Sequence, residues 1–247
     1  MEEHKQTFPS EEVTLPSKGL LYPKDHPLSK GVCEIKYMTA REEDILTNQN
    51  LIKNGTVIDK LLQSLIVTEF DYNDLLIGDK NAILVAAHIL GYGQEYTFTY
   101  NGEEVSIDLS ELQTQYLDES TMIEGKNEFS YTLPHTNTAI TYKLLTSKDE
   151  KKIEDEIKGL KKINKQSSPD LSTKLKHQIL SVNGETDVKV IRDFVDNYML
   201  ARDSRDFRAH IRNTQPDIQM KFDYIGPNGV EEDAVVPMTA GFLWPDA

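Results

Sequence analysis

A single cysteine in 247 residues is the sharpest shortage in this sequence. Cys33 can form no intramolecular disulfide, so oxidative crosslinks contribute nothing to the fold, and a reducing compartment suits the chain. Flanked by Val32 and nearby Ile35, its thiol reads as a small buried apolar group. Long apolar runs are also missing. Nothing approaches the roughly 20 residues that span a bilayer, and the opening MEEHKQTFPSEE lacks the basic-then-apolar order of a secretion signal. The expectation is a chain with no membrane association. Positive charge is scarce as well: 27 Lys and Arg against 41 Asp and Glu leave a formal net charge of −14. Long-range repulsion then opposes nonspecific contact with nucleic acid, and no nucleic-acid partner is expected.

Catalytic signatures are equally sparse. The chain has no glycine-rich phosphate loop, GxSxG elbow, HExxH, CxxC or EF-hand loop. Histidines 4, 26, 88, 135, 177 and 210 are scattered, and His88, within an apolar helical run, reads as a hydrogen-bonded core residue. The adjacent carboxylates Glu42-Glu43 and Glu231-Glu232 point different ways on a helix or strand, which suits a charged surface better than an acid–base pair. The expectation is no enzyme, no catalytic residue, no cofactor and no metal.

What is present is a soluble-protein composition, 38% hydrophobic and 28% charged, with enough length to bury a core. Residues 1–30 hold Pro9, Pro16, Pro23 and Pro27, which forbid a regular helix and predict an extended arm. Residues 31–94 read as a strand and helical core. CEIKYM alternates in polarity, Thr39 with Glu42 three residues on forms a capping box, Asn54-Gly55 breaks the helix, and TVIDKLLQSLIV restarts it. NAILVAAHILGYG, apolar nearly all round, is the expected central helix. Residues 95–146 form a β-hairpin region: alternating runs flank Asn101-Gly102, a type I′ turn sequence, and FSYTLPHTNTAITYKLL repeats the pattern. Four such strands can build one small antiparallel sheet. Residues 147–216 return to helix, with Ser168 capping SSPDLSTKLKHQIL through Leu180 and Thr186 or Asp187 capping VKVIRDFVDNYM. Residues 217–247 give a last hairpin around Gly226-Pro227-Asn228-Gly229 and an apolar plug. The fold class is α+β, a mainly helical body with antiparallel β-hairpins in the middle and at the C-terminus.

Three places invite a partner. In LPSKGLLYP, the residues Leu15, Pro16, Leu20, Leu21 and Tyr22 are too apolar for a free tail and should lie on this chain's own body or on a neighbour. In RDSRDFRAHIRN, Arg205, Arg208 and Arg212 fall within a sector of about 60° on one helix face, beside Arg202. They either pair with Asp193 and Asp196 or dock a partner, a use that suits the enrichment of Arg at interfaces. Phe242, Leu243 and Trp244 should dock as the plug, each contributing roughly 1.5 to 3 kcal/mol on burial. Lysines crowd residues 148 to 165 but alternate with acids at i,i+4 spacing, as a solvated helix face does.

Three stretches taken together resemble the baseplate hub and tail-assembly proteins of T-even-type contractile bacteriophages. These are LPSKGLLYP; EIKYMTAREEDILTNQNLIKNGTVIDKLLQSLIV with DLLIGDKNAILVAAHILGYG; and DSRDFRAHIRNTQPDI with PMTAGFLWPD. The resemblance runs from Leu15 to Asp246 and leaves about residues 118 to 185 unmatched. It implies a structural component of the baseplate hub or wedge that works by protein–protein binding. The alternative is a non-virion chaperone for assembly of the hub or tape-measure protein. The implied location is the virion tail baseplate, assembled in the host cytoplasm, and the implied partners are other tail proteins, with self-association left open. Relatives often carry a Cys-Pro-x-Cys-Gly knuckle in the hairpin turns. Here Tyr100-Asn101-Gly102 and Ile225 to Gly229 occupy those turns without a cysteine, so the zinc site of those relatives is not carried over.

Overall fold

The computed structural model describes residues 9–163, 169–225, 231–238 and 240–243. Two strands, β1 (Ser10–Thr14) and β2 (Val32–Lys36), precede four helices, α1 (Ala40–Leu46), α2 (Gln49–Asn54), α3 (Val57–Leu65) and α4 (Ile77–Tyr92). A stretch of strands follows: β3 (Glu95–Tyr100), β4 (Glu103–Asp108), β5 (Thr114–Gln115), β6 (Phe129–Thr132) and β7 (Ala139–Tyr142). The second helical part comprises α5 (Ser147–Ile163), α6 (Asp170–Gln178), strand β8 (Ile179–Val182), α7 (Val188–Asp193) with a π-helical turn Phe194–Tyr198, and α8 (Ala201–Thr214). Strands β9 (Asp217–Ile218), β10 (Lys221–Ile225) and β11 (Glu231–Val235) and the short helix α9 (Ala240–Leu243) complete an α+β fold.

Helix α4 is the axis of the body, because so much of its surface is apolar that several elements are needed to cover it. Ile83, Leu84, Val85 and Ala87 are buried. The helix begins at Ile77, four residues before the apolar run that predicts it. Leu76 caps it from extended backbone, and Ile77 donates its N–H to Leu145 at 3.0 Å. Gly78 is forced by its neighbour: a Cβ there would lie 1.9 Å from the Pro216 carbonyl oxygen.

The proline-rich segment is not a projecting arm. Strand β1 pairs antiparallel with β2, setting Val13 opposite Cys33. The chain between them turns sharply through Lys18 and Gly19, both at positive φ, and a Cβ on Gly19 would meet the Leu28 and Ser29 carbonyls at 2.5 Å. Prolines rule out helix but not a strand followed by tight turns, so an extended reading fits both outcomes; the apolar content favours the packed one.

The signals at Thr39 and Gly55 act as expected, but the single helix expected before Gly55 is divided at Thr47 and Asn48 into α1 and α2. The Glu42 carboxylate reaches back to the Thr39 N–H at 3.0 Å and hydroxyl at 2.6 Å. Asn48 caps α2, and Gly55 ends it in left-handed backbone. Hairpin β3–β4 turns at Asn101 and Gly102, both at positive φ. It does not share a sheet with β6–β7. Those two strands instead recruit β8, which the sequence reading assigns to the end of a helix. The α6 ladder stops at Gln178, and Ile179 to Val182 extend toward a turn at Asn183-Gly184, again both at positive φ. Strand β9 returns to β5, and β10 pairs with β11 around a turn that lies outside the described residues.

Candidate functional site

The apolar segment after β1 is held by a carboxylate. Asp79, in the first turn of α4, accepts from the Ser17 N–H at 3.0 Å, the Ser17 hydroxyl at 2.7 Å and the Tyr22 hydroxyl at 2.7 Å. The Tyr22 oxygen in turn accepts the Leu76 N–H at 3.0 Å. Asp79 is fully buried, and that burial pushes its carboxyl above the usual range despite the three donors. Leu15, Pro16, Leu21 and Tyr22 are buried here and Leu20 is half-buried against the same core. Of the two readings open from sequence, this chain's own body or a neighbour, the packing follows the first: within the described body these residues are used internally.

The plug closes the other end of the same helix. Phe242 is 1% exposed, its ring 4.8 Å from His88 and 4.9 Å from Tyr96, and its carbonyl oxygen meets His88 Nδ1. Leu243 is buried beside it, while Trp244 lies outside the described residues. Two of the three plug residues are therefore core rather than docking surface. Burial holds His88 below the usual histidine range.

Helix α8 divides its face-to-face duties. On one side Phe207 is fully buried between Tyr131 and Tyr142. Asp203 accepts the His135 N–H at 2.9 Å, and Asp206 meets His135 Nε2 at 3.0 Å. The DSRD spacing thus fastens the β6–β7 loop. On the other side the arginine stripe separates. Arg205, its side chain 72% exposed, lies 3.3 Å from Asp206. Arg208 donates to the Ser204 carbonyl at 3.2 Å. Neither Arg208 nor Arg212 forms an ion pair among the described residues, and the expected acidic partners are engaged elsewhere: Asp196 with Lys176 at 2.6 Å and Asp193 with Asn197 at 2.7 Å.

These two arginines wall an open trough of about 320 Å³ between α6 and α8. Helix α6 presents Leu171, Lys174, Leu175 and Gln178, one face at helical spacing. Opposite stand Arg208, Ile211 and Arg212, with Gln215 beyond the helix end. The floor is apolar, with Leu175 and Ile211 nearly inaccessible, and Leu171 on the edge is 45% exposed. Past Lys174, Gln178 and Gln215 the trough continues into a cleft of about 260 Å³ that reaches Gly78, Glu150 and Glu154. Those acids have cations beside them: Glu150 lies 2.6 Å from Lys80, which it shares with Asp59, and Glu154 pairs with Lys158 at 3.0 Å. The uncompensated charge of the trough is positive.

Other places offer less. A recess of about 510 Å³ between hairpins β3–β4 and β10–β11 carries Asp108, Glu111, Asp223 and Asp233, the charge sign of the whole chain. The histidines stay apart, with His177 on Glu156 at 3.0 Å and His210 on the Tyr142 hydroxyl at 2.9 Å, and His4 lies outside the described residues. Among the described residues no three His, Cys, Asp or Glu side chains are placed to share a metal ion. The lysine-rich α5 shows the expected i,i+4 pair Glu154–Lys158.

The α6 wall carries no site signal in the sequence, although DLSTKLKHQ has its apolar spacing. That spacing marks a helix face without saying whether the face is covered. No protein-family model, curated protein or solved structure matches the chain.

Proposed function

We propose that this chain is a structural component of a contractile phage tail baseplate, in the hub or wedge region, and that it acts by binding other tail proteins. The observation that carries the reading is the trough between α6 and α8. One of the blocks that resemble baseplate proteins, DSRDFRAHIRNTQPDI, supplies a whole wall of it. That wall holds two arginines with no ion-pair partner among the described residues, above an apolar floor. Arg and apolar side chains together are the mixture that protein interfaces favour.

Mass spectrometry of purified particles from the phage that encodes the chain tests the proposal. The protein should be present at a fixed ratio to other tail proteins. Its absence from intact particles, with tails unbuilt when the gene is deleted, transfers the role to an assembly chaperone. Normal tails after deletion overturn both.

A further inference from the structure

We infer that the α6–α8 trough receives an amphipathic helix of a partner protein, one that lays an aliphatic row on Leu171, Leu175 and Ile211 and turns carboxylates toward Arg208 and Arg212. The inference rests on the binding role proposed above and names the chemistry of the partner.

Shape is the first argument. Two helices wall the trough, α6 with residues at i, i+3, i+4 and i+7 and α8 with residues at i, i+3 and i+4, so it is a channel lined by two helix faces. A side-chain row at the same spacing is what fits such a channel, as in other helix-in-groove recognition. The floor contributes apolar contact, and Leu171 gains the most, because it alone of the three aliphatic residues stands substantially in water.

Charge is the second argument. A chain of net charge −14 repels acidic partners in general. Within the trough the balance reverses. The carboxylates at its far end have cations beside them, Glu150 the Lys80 that it shares with Asp59 and Glu154 its own Lys158, whereas Arg208 and Arg212 have no ion-pair partner among the described residues. Lys174 adds a third cation on the opposite wall. An acidic flank on the occupant would complete these cations. A basic helix would meet three like charges, which sets the specificity of the site as much as any contact does.

Two labelled peptides of about twenty residues test this, long enough to hold helix. Both carry leucines at alternating three- and four-residue spacing; one is flanked by glutamates, the other by lysines. Fluorescence anisotropy with the full chain should show saturable binding of the glutamate peptide that weakens as salt rises. Arg208→Glu with Arg212→Glu should lower its affinity about tenfold or more. Leu171→Asp should do the same from the other wall. Arg205→Glu, a change outside the trough, should leave it unaltered, and circular dichroism establishes that each variant keeps its helix content.

Equal binding of both peptides, or equal binding by wild type and the two trough variants, overturns the inference. So does full displacement of the glutamate peptide by a DNA oligonucleotide, which would make the trough a phosphate site. Sedimentation of the chain alone supplies a further outcome: self-association abolished by the arginine changes, with no peptide bound, would assign the trough to a second copy instead. None of these results depends on particles, so failure here leaves the baseplate proposal to its own test.

Discussion

At the residue scale the most consequential group is Asp79, a buried carboxylate whose donors come from the loop after β1. Tyr22→Phe removes one of them and also strips the buried Leu76 N–H of its acceptor. The change should destabilise the protein by about 2 kcal/mol at neutral pH, read from the urea midpoint. Because burial raises the Asp79 carboxyl, charging it opposes folding, and stability from this group falls as pH rises through its folded value. The lost donor bonds the charged carboxylate more strongly than the neutral acid, so part of the deficit should disappear in acid. An unchanged midpoint at pH 7 would contradict the role given to Tyr22. In the sequence Tyr22 stands among apolar residues that need a surface, and its hydroxyl carries no signal there, since the partner is 57 residues away. The same holds for His88, read as a core histidine with an unnamed partner that proves to be the Phe242 carbonyl.

At the element scale, local rules were legible and pairings were not. Capping boxes, Asn-Gly turns and the α2 terminator depend on neighbours within a few residues, and those expectations match the structure at Thr39, Asn101 and Gly55. Strand β8 was hidden because HQIL continues a helical pattern, and only its pairing with β7 shows where that pattern stops. Glu42 illustrates how a local motif acquires distant partners. Beyond Thr39 its carboxylate binds Lys36 at 2.9 Å and the Ser64 hydroxyl at 2.7 Å, tying β2, α1 and α3 together. Burial pushes this carboxyl up, but the hydrogen bonds outweigh it and lower it to about 2. A depressed folded value stabilises fully above the unfolded one, near 4.5, and that stability is lost as pH falls toward 2. Glu156, lowered to about 2 chiefly by its hydrogen bonds from Arg192, loses its contribution over the same window. Glu42→Gln should cost about 2 to 3 kcal/mol at pH 7 and flatten the stability profile between pH 4.5 and 2. Denaturant titrations across that range check it; a parallel profile for the variant would count against the account.

At the scale of the whole molecule, α4 connects regions that the sequence reading separates. Asp79 holds the loop after β1, Lys80 bridges Asp59 and Glu150, Asn81 donates to Asp217 at 2.9 Å, and His88 meets Phe242. With the Ile77 N–H donated to Leu145, all five segments drawn along the chain share one axis. Phe242→Ala should therefore cost about 3 to 5 kcal/mol and lower a single unfolding transition of the entire body. Coincident near- and far-ultraviolet circular dichroism melts would bear this out, whereas an early, separate transition would show the last hairpin and α9 to be independent. Fold class was legible because periodicity reports it; the trough was not, because it depends on two helices about forty residues apart leaving their facing rows uncovered.

The plug also bears on the order in which the molecule is made. His88 and the residue that covers it are separated by 154 positions, so at ribosomal speeds of about 5 to 20 residues per second the axial helix waits roughly eight to thirty seconds for its cover. During that interval its aromatic face is exposed to the crowded cell. A nascent chain with so long a wait is a natural client for whatever shields apolar surface during synthesis.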